Sequence, residues 1–206
     1  MSNNQNRTGL TPVTHISGAP WNGATRRCYI ETGHSGSLFV GDPVVLTGSA
    51  DASGCYPTIG IATAGGVVFG VIASFEELPT NLTKTYFVSG DTGGRFCNVC
   101  CDPTVLYEVQ GNSAAAITAD NVGACGDLIA TAAGSTVTGY SGWELSQASL
   151  TTTSTLQVRL MGASPRVDND ISAIYAKWLV LINKNQLFGV ASNASAGSTY
   201  IGALGV

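Results

Sequence analysis

Thr155-Leu156-Gln157-Val158-Arg159-Leu160 is the most regular alternation of apolar and polar side chains in the chain. Successive strand side chains point to opposite faces of a sheet. Leu156, Val158 and Leu160 are therefore expected on a buried face, and Thr155, Gln157 and Arg159 on the other. This predicts a half-buried β-strand and sets the class for the segments around it. Downstream, Ile174, Ala176, Trp178, Val180 and Ile182 are apolar at every second position, which predicts another strand. Ile171, Ile174, Tyr175 and Trp178 also fit helical spacing behind a cap at Asp168, Asn169 or Asp170, so a helical turn before that strand is an open alternative.

Upstream, short runs rich in β-branched and aromatic residues cover 28–31, 37–40, 44–47, 66–73, 84–88 and 105–109. Turn signals separate them at 41–43, 89–94, 102–103 and 162–165. Residues 59–62 and 69–73 are expected to pair as a hairpin about Gly65-Gly66. The predicted fold class is all-β, an antiparallel β-sandwich or barrel with extended N- and C-terminal arms. Residues 1–24 form a polar N-terminal arm in which Pro12, Gly18, Pro20 and Gly23 break any regular element. Residues 25–185 form the β-rich core domain and 186–206 the C-terminal arm.

Charge is scarce. Of 206 residues, nine are Lys or Arg and thirteen are Asp or Glu, with a net charge of −4. An ordinary domain carries roughly a quarter charged residues, so part of this surface is expected to be covered by another copy, an assembly or lipid. No run approaches the roughly 20 apolar residues that a spanning helix needs, and the polar N-terminus lacks the apolar core of a secretory signal. The expectation is a soluble chain made in the cytoplasm. The scattered basic residues argue against a nucleic-acid partner, because affinity for phosphates requires clustered Lys and Arg. The last charged side chain is Lys184, while Tyr200, Ile201, Leu204 and Val206 give the tail something to bury. An arm docked on a neighbour, a disordered end and a last strand are three readings of it.

No constellation for chemistry is complete. Cys97-Asn98-Val99-Cys100-Cys101 contains one CxxC, without the second pair or the His spacing that closes a zinc site. Buried free thiols are expected, with zinc or a disulfide as alternatives. Asp91-Thr92-Gly93 matches the aspartic-protease tripeptide but lies among glycines and serine, where a polar turn explains it better. Ser35 and Ser141 lack the second glycine of a hydrolase elbow. His15 and His34 read as loop histidines. No glycine-rich phosphate cradle is present, and Asp120, Asp127, Asp168 and Asp170 lack the spacing of a calcium loop. No enzymatic activity, metal or cofactor is expected.

Several blocks taken together resemble small structural proteins of tailed bacteriophages, most closely the head decoration, or cement, proteins. These blocks are Gly41-Asp42-Pro43-Val44, Phe69-Gly70-Val71-Ile72, Cys101-Asp102-Pro103, Asp120 to Gly123 with Asp127-Leu128, Thr138 to Ser141, and Asp168-Asn169 before Trp178 to Asn183. The resemblance implies a β-rich, non-enzymatic protein on the outer surface of the virion capsid. It implies as partners the major capsid protein and further copies of the chain, as a homodimer or homotrimer, with no nucleic acid and no membrane. The contact residues expected are Trp21, Phe188, Tyr200, Ile201 and Leu204, each with packing inside its own subunit as the competing reading. A tail, fibre or baseplate component is an alternative. So is a carbohydrate-binding β-sandwich in which Trp21, Trp143 and Trp178 stack on sugars.

Overall fold

In the computed structural model, which describes residues 3–78 and 81–188, twelve strands lie among the described residues. In chain order they are β1 (Thr11–His15), β2 (Arg26–Ile30), β3 (Pro43–Ala50), β4 (Pro57–Ile61), β5 (Gly70–Phe75), β6 (Arg95–Cys100), β7 (Val105–Gln110), β8 (Cys125–Gly126), β9 (Leu128–Ala130), β10 (Trp143–Leu145), β11 (Val158–Ala163) and β12 (Lys177–Ile182). Three single-turn 3-10 helices are the only helical pieces among these residues. The chain is all-β, as its alternations predict.

Strands β2, β4, β3, β5 and β6 close into a small barrel, and β1, β7, β12, β11 and β8 form an antiparallel sheet in that order. The barrel interior holds Cys28, Ile30, Leu38, Val44, Ile59, Phe69, Ile72, Phe87, Cys97 and Val99. A second core joins the outer wall of the barrel to the sheet. There Val71 and Cys100 of the barrel belong to one cluster with Tyr107, Val109, Val158, Leu160, Trp178 and Val180 of the sheet. Alternate residues of β5 and β6 thus serve different cores: Val71 and Cys100 face the sheet, Ile72 and Val99 the barrel interior. A strand buried on both faces reads as a continuous apolar run rather than an alternation. Gly70 sits where β5 crosses β6 so closely that a Cβ would lie 2.5 Å from the Cys100 carbonyl.

The structure departs from the sequence reading at several points. β3 lies between β4 and β5, so 59–62 and 69–73 each pair with β3 and not with one another. Gly65 still turns the chain, at φ +70, but the connection spans two strands of the barrel. The run at 84–88 contributes only an isolated bridge, Phe87 to Leu38, and 37–40 only that bridge and one from Val40 to Tyr140. Glu76, Lys84 and Tyr86 are tied together instead by Arg95, which is almost fully buried. Its guanidinium donates to the carbonyls of Glu76, Lys84 and Tyr86. β12 begins only at Lys177, and Ile171 and Ile174 are exposed in the preceding loop. Residues 1–24 are not free of regular structure, because Thr11–His15 pairs with β7. Pro12 is tolerated there because it occupies an edge strand, beside a bulge.

The largest departure concerns the alternation from which the fold was read. Val158 and Leu160 are buried as expected, but the strand starts at Val158 and Gln157 is fully buried, not solvent-facing. Its Oε1 accepts from the Gly65 and Leu128 amides and its Nε2 donates to the Thr63 carbonyl. Its own amide donates to Asp127 Oδ1, and its carbonyl accepts from Asn183 and Lys184. A buried polar side chain is stable when every group is paired, and this one ties the barrel loop to β9 and the end of β12.

Candidate assembly surface

The N-terminal segment is fastened to its own body along its described length. Asn3 donates to the Asp170 and Ile174 carbonyls and accepts from the Asp170 amide. Gln110 accepts from the Asn6 amide and donates to the carbonyls of Asn4 and Tyr175. These amides border a cleft of about 290 Å³ with Arg166 and Lys177, and they are spent on backbone. Arg7 reaches the buried Glu144 at 3.1 Å. Gly9, at φ +64, passes so close to the barrel that a Cβ would lie 2.4 Å from the Gly41 carbonyl and from Ser141.

After β1 the chain doubles back. Trp21 donates its amide to the Val13 carbonyl, and His15 donates to Ala19. The exposed edge of β1 is therefore occupied by the same chain, and Trp21 lies half-buried against the sheet core. At the other edge, Cys125 of β8 exchanges both backbone hydrogen bonds with Thr151. Open edges invite pairing with other chains, and here both ends of the sheet are covered.

The barrel wall presents an aromatic platform that sequence reasoning missed. The Arg27 guanidinium lies 3.8 Å from the centroid of the Phe96 ring and 4.6 Å from that of Tyr56. The Tyr29 ring packs on Phe96 at 5.1 Å. Arg27 forks onto Glu76, Nε to Oε1 at 2.5 Å and Nη2 to Oε2 at 2.7 Å, and this pairing holds the Glu76 carboxyl below the usual range. All these side chains are half-exposed. Tyr56 reaches them from the β3–β4 hairpin, whose tip is braced by Asp51 accepting from Ser53 and Tyr56. Residues 27, 29, 56, 76 and 96 are too dispersed in sequence for any local pattern to group them; only the barrel registers Tyr29 opposite Phe96.

Asp42 is the other unanticipated group. It sits 3% exposed in the turn entering β3, where its Oδ2 accepts from the Phe39 amide at 2.8 Å. Burial pushes its carboxyl up to about 6, against the opposing pull of hydrogen bonds from the Ser141 hydroxyl and Phe39. It lines a cavity of about 380 Å³ between the barrel and the β9–β10 hairpin, with Phe39, Ile61, Ala133 and Trp143 among the walls.

Of the expected contact residues, Trp21 packs on its own subunit, as described. Phe188 closes the last 3-10 turn, Gln186–Phe188. That turn is pinned to the barrel by Gln186, whose side chain accepts from and donates to the Leu46 backbone. Tyr200, Ile201 and Leu204 lie outside the described residues. Trp178 and Trp143 are core residues, 1% and 6% exposed. Neither offers a face on which a sugar could stack.

All six cysteines are free thiols. Cys28 and Cys97 are cross-strand neighbours inside the barrel, where burial pushes the Cys28 thiol up to about 11 and raises Cys97 as well. Asp91 accepts from the Gly93 amide within a tight polar turn. Comparison with protein-family models, with curated proteins and with solved structures finds no match.

Proposed function

We propose that this chain is a non-enzymatic structural protein of a tailed-phage particle, a head decoration protein that binds the lattice of the major capsid protein on the outer surface of the shell. The observation that carries the reading is the shortage of charge, 22 residues in 206, on a chain whose own cores are already filled. Uncharged surface placed in a joint between subunits avoids the desolvation cost of unpaired ions. Closed sheet edges direct contacts to faces, and the platform of Tyr29, Tyr56, Phe96 and Arg27 has the residue types that dominate binding energy at interfaces. Many weak contacts repeated around a shell add up through multivalency. Two of the blocks that resemble decoration proteins form turns, Gly41-Asp42-Pro43 entering β3 and Cys101-Asp102-Pro103 linking β6 to β7, while Phe69-Gly70-Val71-Ile72 and Trp178 to Asn183 fall mostly in β5 and β12.

The test is the copy number of this chain in particles purified from the producing host, by quantitative mass spectrometry against the major shell subunit. A number comparable with that of the shell subunit supports decoration. A few copies per particle would reassign the chain to the tail, fibre or baseplate, and absence from particles would sink the assembly reading altogether.

A further inference from the structure

We propose that the cavity between the barrel and the β9–β10 hairpin is a binding pocket for a primary alkylammonium group, with Asp42 receiving the cation and the apolar walls receiving the alkyl chain. The inference rests on this cavity alone and is independent of the assembly reading.

The cavity measures about 380 Å³, and Asp42 is the one ionisable residue in its lining. Phe39, Ile61 and Trp143 line it with edges of apolar side chains, and the small side chains of Ala130, Ala132 and Ala133 complete the apolar lining. Its lip is built for close approach: a Cβ on Gly134 would fall 2.3 Å from the Phe39 ring, and one on Gly142 would fall 2.1 Å from the Ala132 carbonyl. Asp42 has no ion pair among the described residues; its donors, the Phe39 amide and the Ser141 hydroxyl, are neutral. Ser141 in turn accepts from the Trp143 amide, which fixes the hydroxyl toward the carboxylate. The carboxylate of the hairpin, Glu144, follows Trp143 and is already engaged by Arg7 and Thr131. A carboxylate removed from water without a cation is costly. This one adjoins a space large enough to admit the cation it lacks.

The chemistry selects among cations. A guanidinium prefers a planar fork with both carboxylate oxygens free, but Asp42 Oδ2 already accepts from Phe39. An ammonium is a compact point charge that one oxygen satisfies, and its methylene stem gains by lying on apolar walls. A lysine side chain of a protein partner and a free aliphatic diamine present the same group.

The experiment follows tryptophan fluorescence and the Asp42 carboxyl carbon by NMR while the full chain is titrated with n-butylammonium and, separately, with n-butanol. Saturable binding of the ammonium and not of the alcohol is expected, weakening about tenfold from about pH 7.5 to about pH 5 as Asp42 takes a proton. Asp42→Asn should abolish binding while its circular dichroism stays that of wild type; if that variant does not fold, the pairwise comparison of ammonium with alcohol on wild type still decides. Equal binding of both probes, or of neither, overturns the proposal. Nα-acetyl-lysine N-methylamide binding more tightly than cadaverine assigns the group to a protein side chain, and the reverse order to a free diamine.

Discussion

Buried polar side chains, not apolar ones, carry the most specific information in this chain, and two of them make opposite predictions. Both polar atoms of the Gln157 side chain are hydrogen-bonded, so Gln157→Leu leaves the Gly65 and Leu128 amides without that partner. Each orphaned group costs about 1–3 kcal/mol, and urea unfolding is expected to register a loss of about 3 kcal/mol; an unchanged midpoint would refute the role assigned to Gln157. Asp42 is a burden when ionised. Its carboxyl is raised from 3.8 to about 6 on folding, so its contribution to stability is fully present below the unfolded value and is lost as pH rises through about 6. Relative to Asp42→Asn, wild type should gain about 1.4 kcal/mol as pH falls from about 7.5 to about 5. Parallel pH dependences of the two proteins would contradict this. The cysteines divide by exposure: Cys55 is exposed, whereas Cys28, Cys97, Cys100 and Cys125 are buried. Only the thiolate reacts, so a thiol reagent under native conditions should modify Cys55 rapidly and these four only on unfolding. Rapid native labelling of Cys97 would show that the barrel opens.

At the scale of elements, strands were legible where one face is wet and ambiguous where both are dry. β11 and β12 alternate because the sheet packs on the barrel through one face only, with Trp178, Val180 and Ile182 inward. β5 lies between two cores, so its run gave a strand but no partner, and the expected hairpin ignored β3 between its arms. No local pattern distinguishes a turn that joins adjacent strands from one that skips a neighbour. The candidate platform was invisible for a related reason, since Arg27, Tyr56 and Phe96 meet only after the barrel closes. In the N-terminal segment Gly18 and Gly23 were read as breakers and Gly9 was not singled out, whereas Gly9 is a contact point. Gly9→Ala adds a methyl at positive φ against the Gly41 carbonyl and Ser141, at a cost of more than about 1 kcal/mol. Hydrogen exchange should then accelerate in 3–15 while the barrel strands keep their protection. Uniform protection in that variant would mean the segment is not seated against Gly41.

For the whole molecule, the shortage of charge noted in the sequence now has a setting. Five of the nine basic residues brace the fold: Arg95 on backbone carbonyls, Arg27 on Glu76, Lys177 and Arg166 on Glu108, Arg7 on Glu144. The surface between them is left to small polar and apolar groups, with Val13, Ile16, Val137, Tyr140 and Val167 exposed. Such a surface is suited to repeated contact with a lattice, and its faces rather than its sheet edges are available for that contact. Cryo-electron microscopy of intact particles from the producing host tests the decoration reading most directly. The account predicts density for the barrel and its packed sheet on the outer face of the shell, repeated at the joints between capsid subunits; particles bearing the chain only at the tail, or not at all, would contradict it.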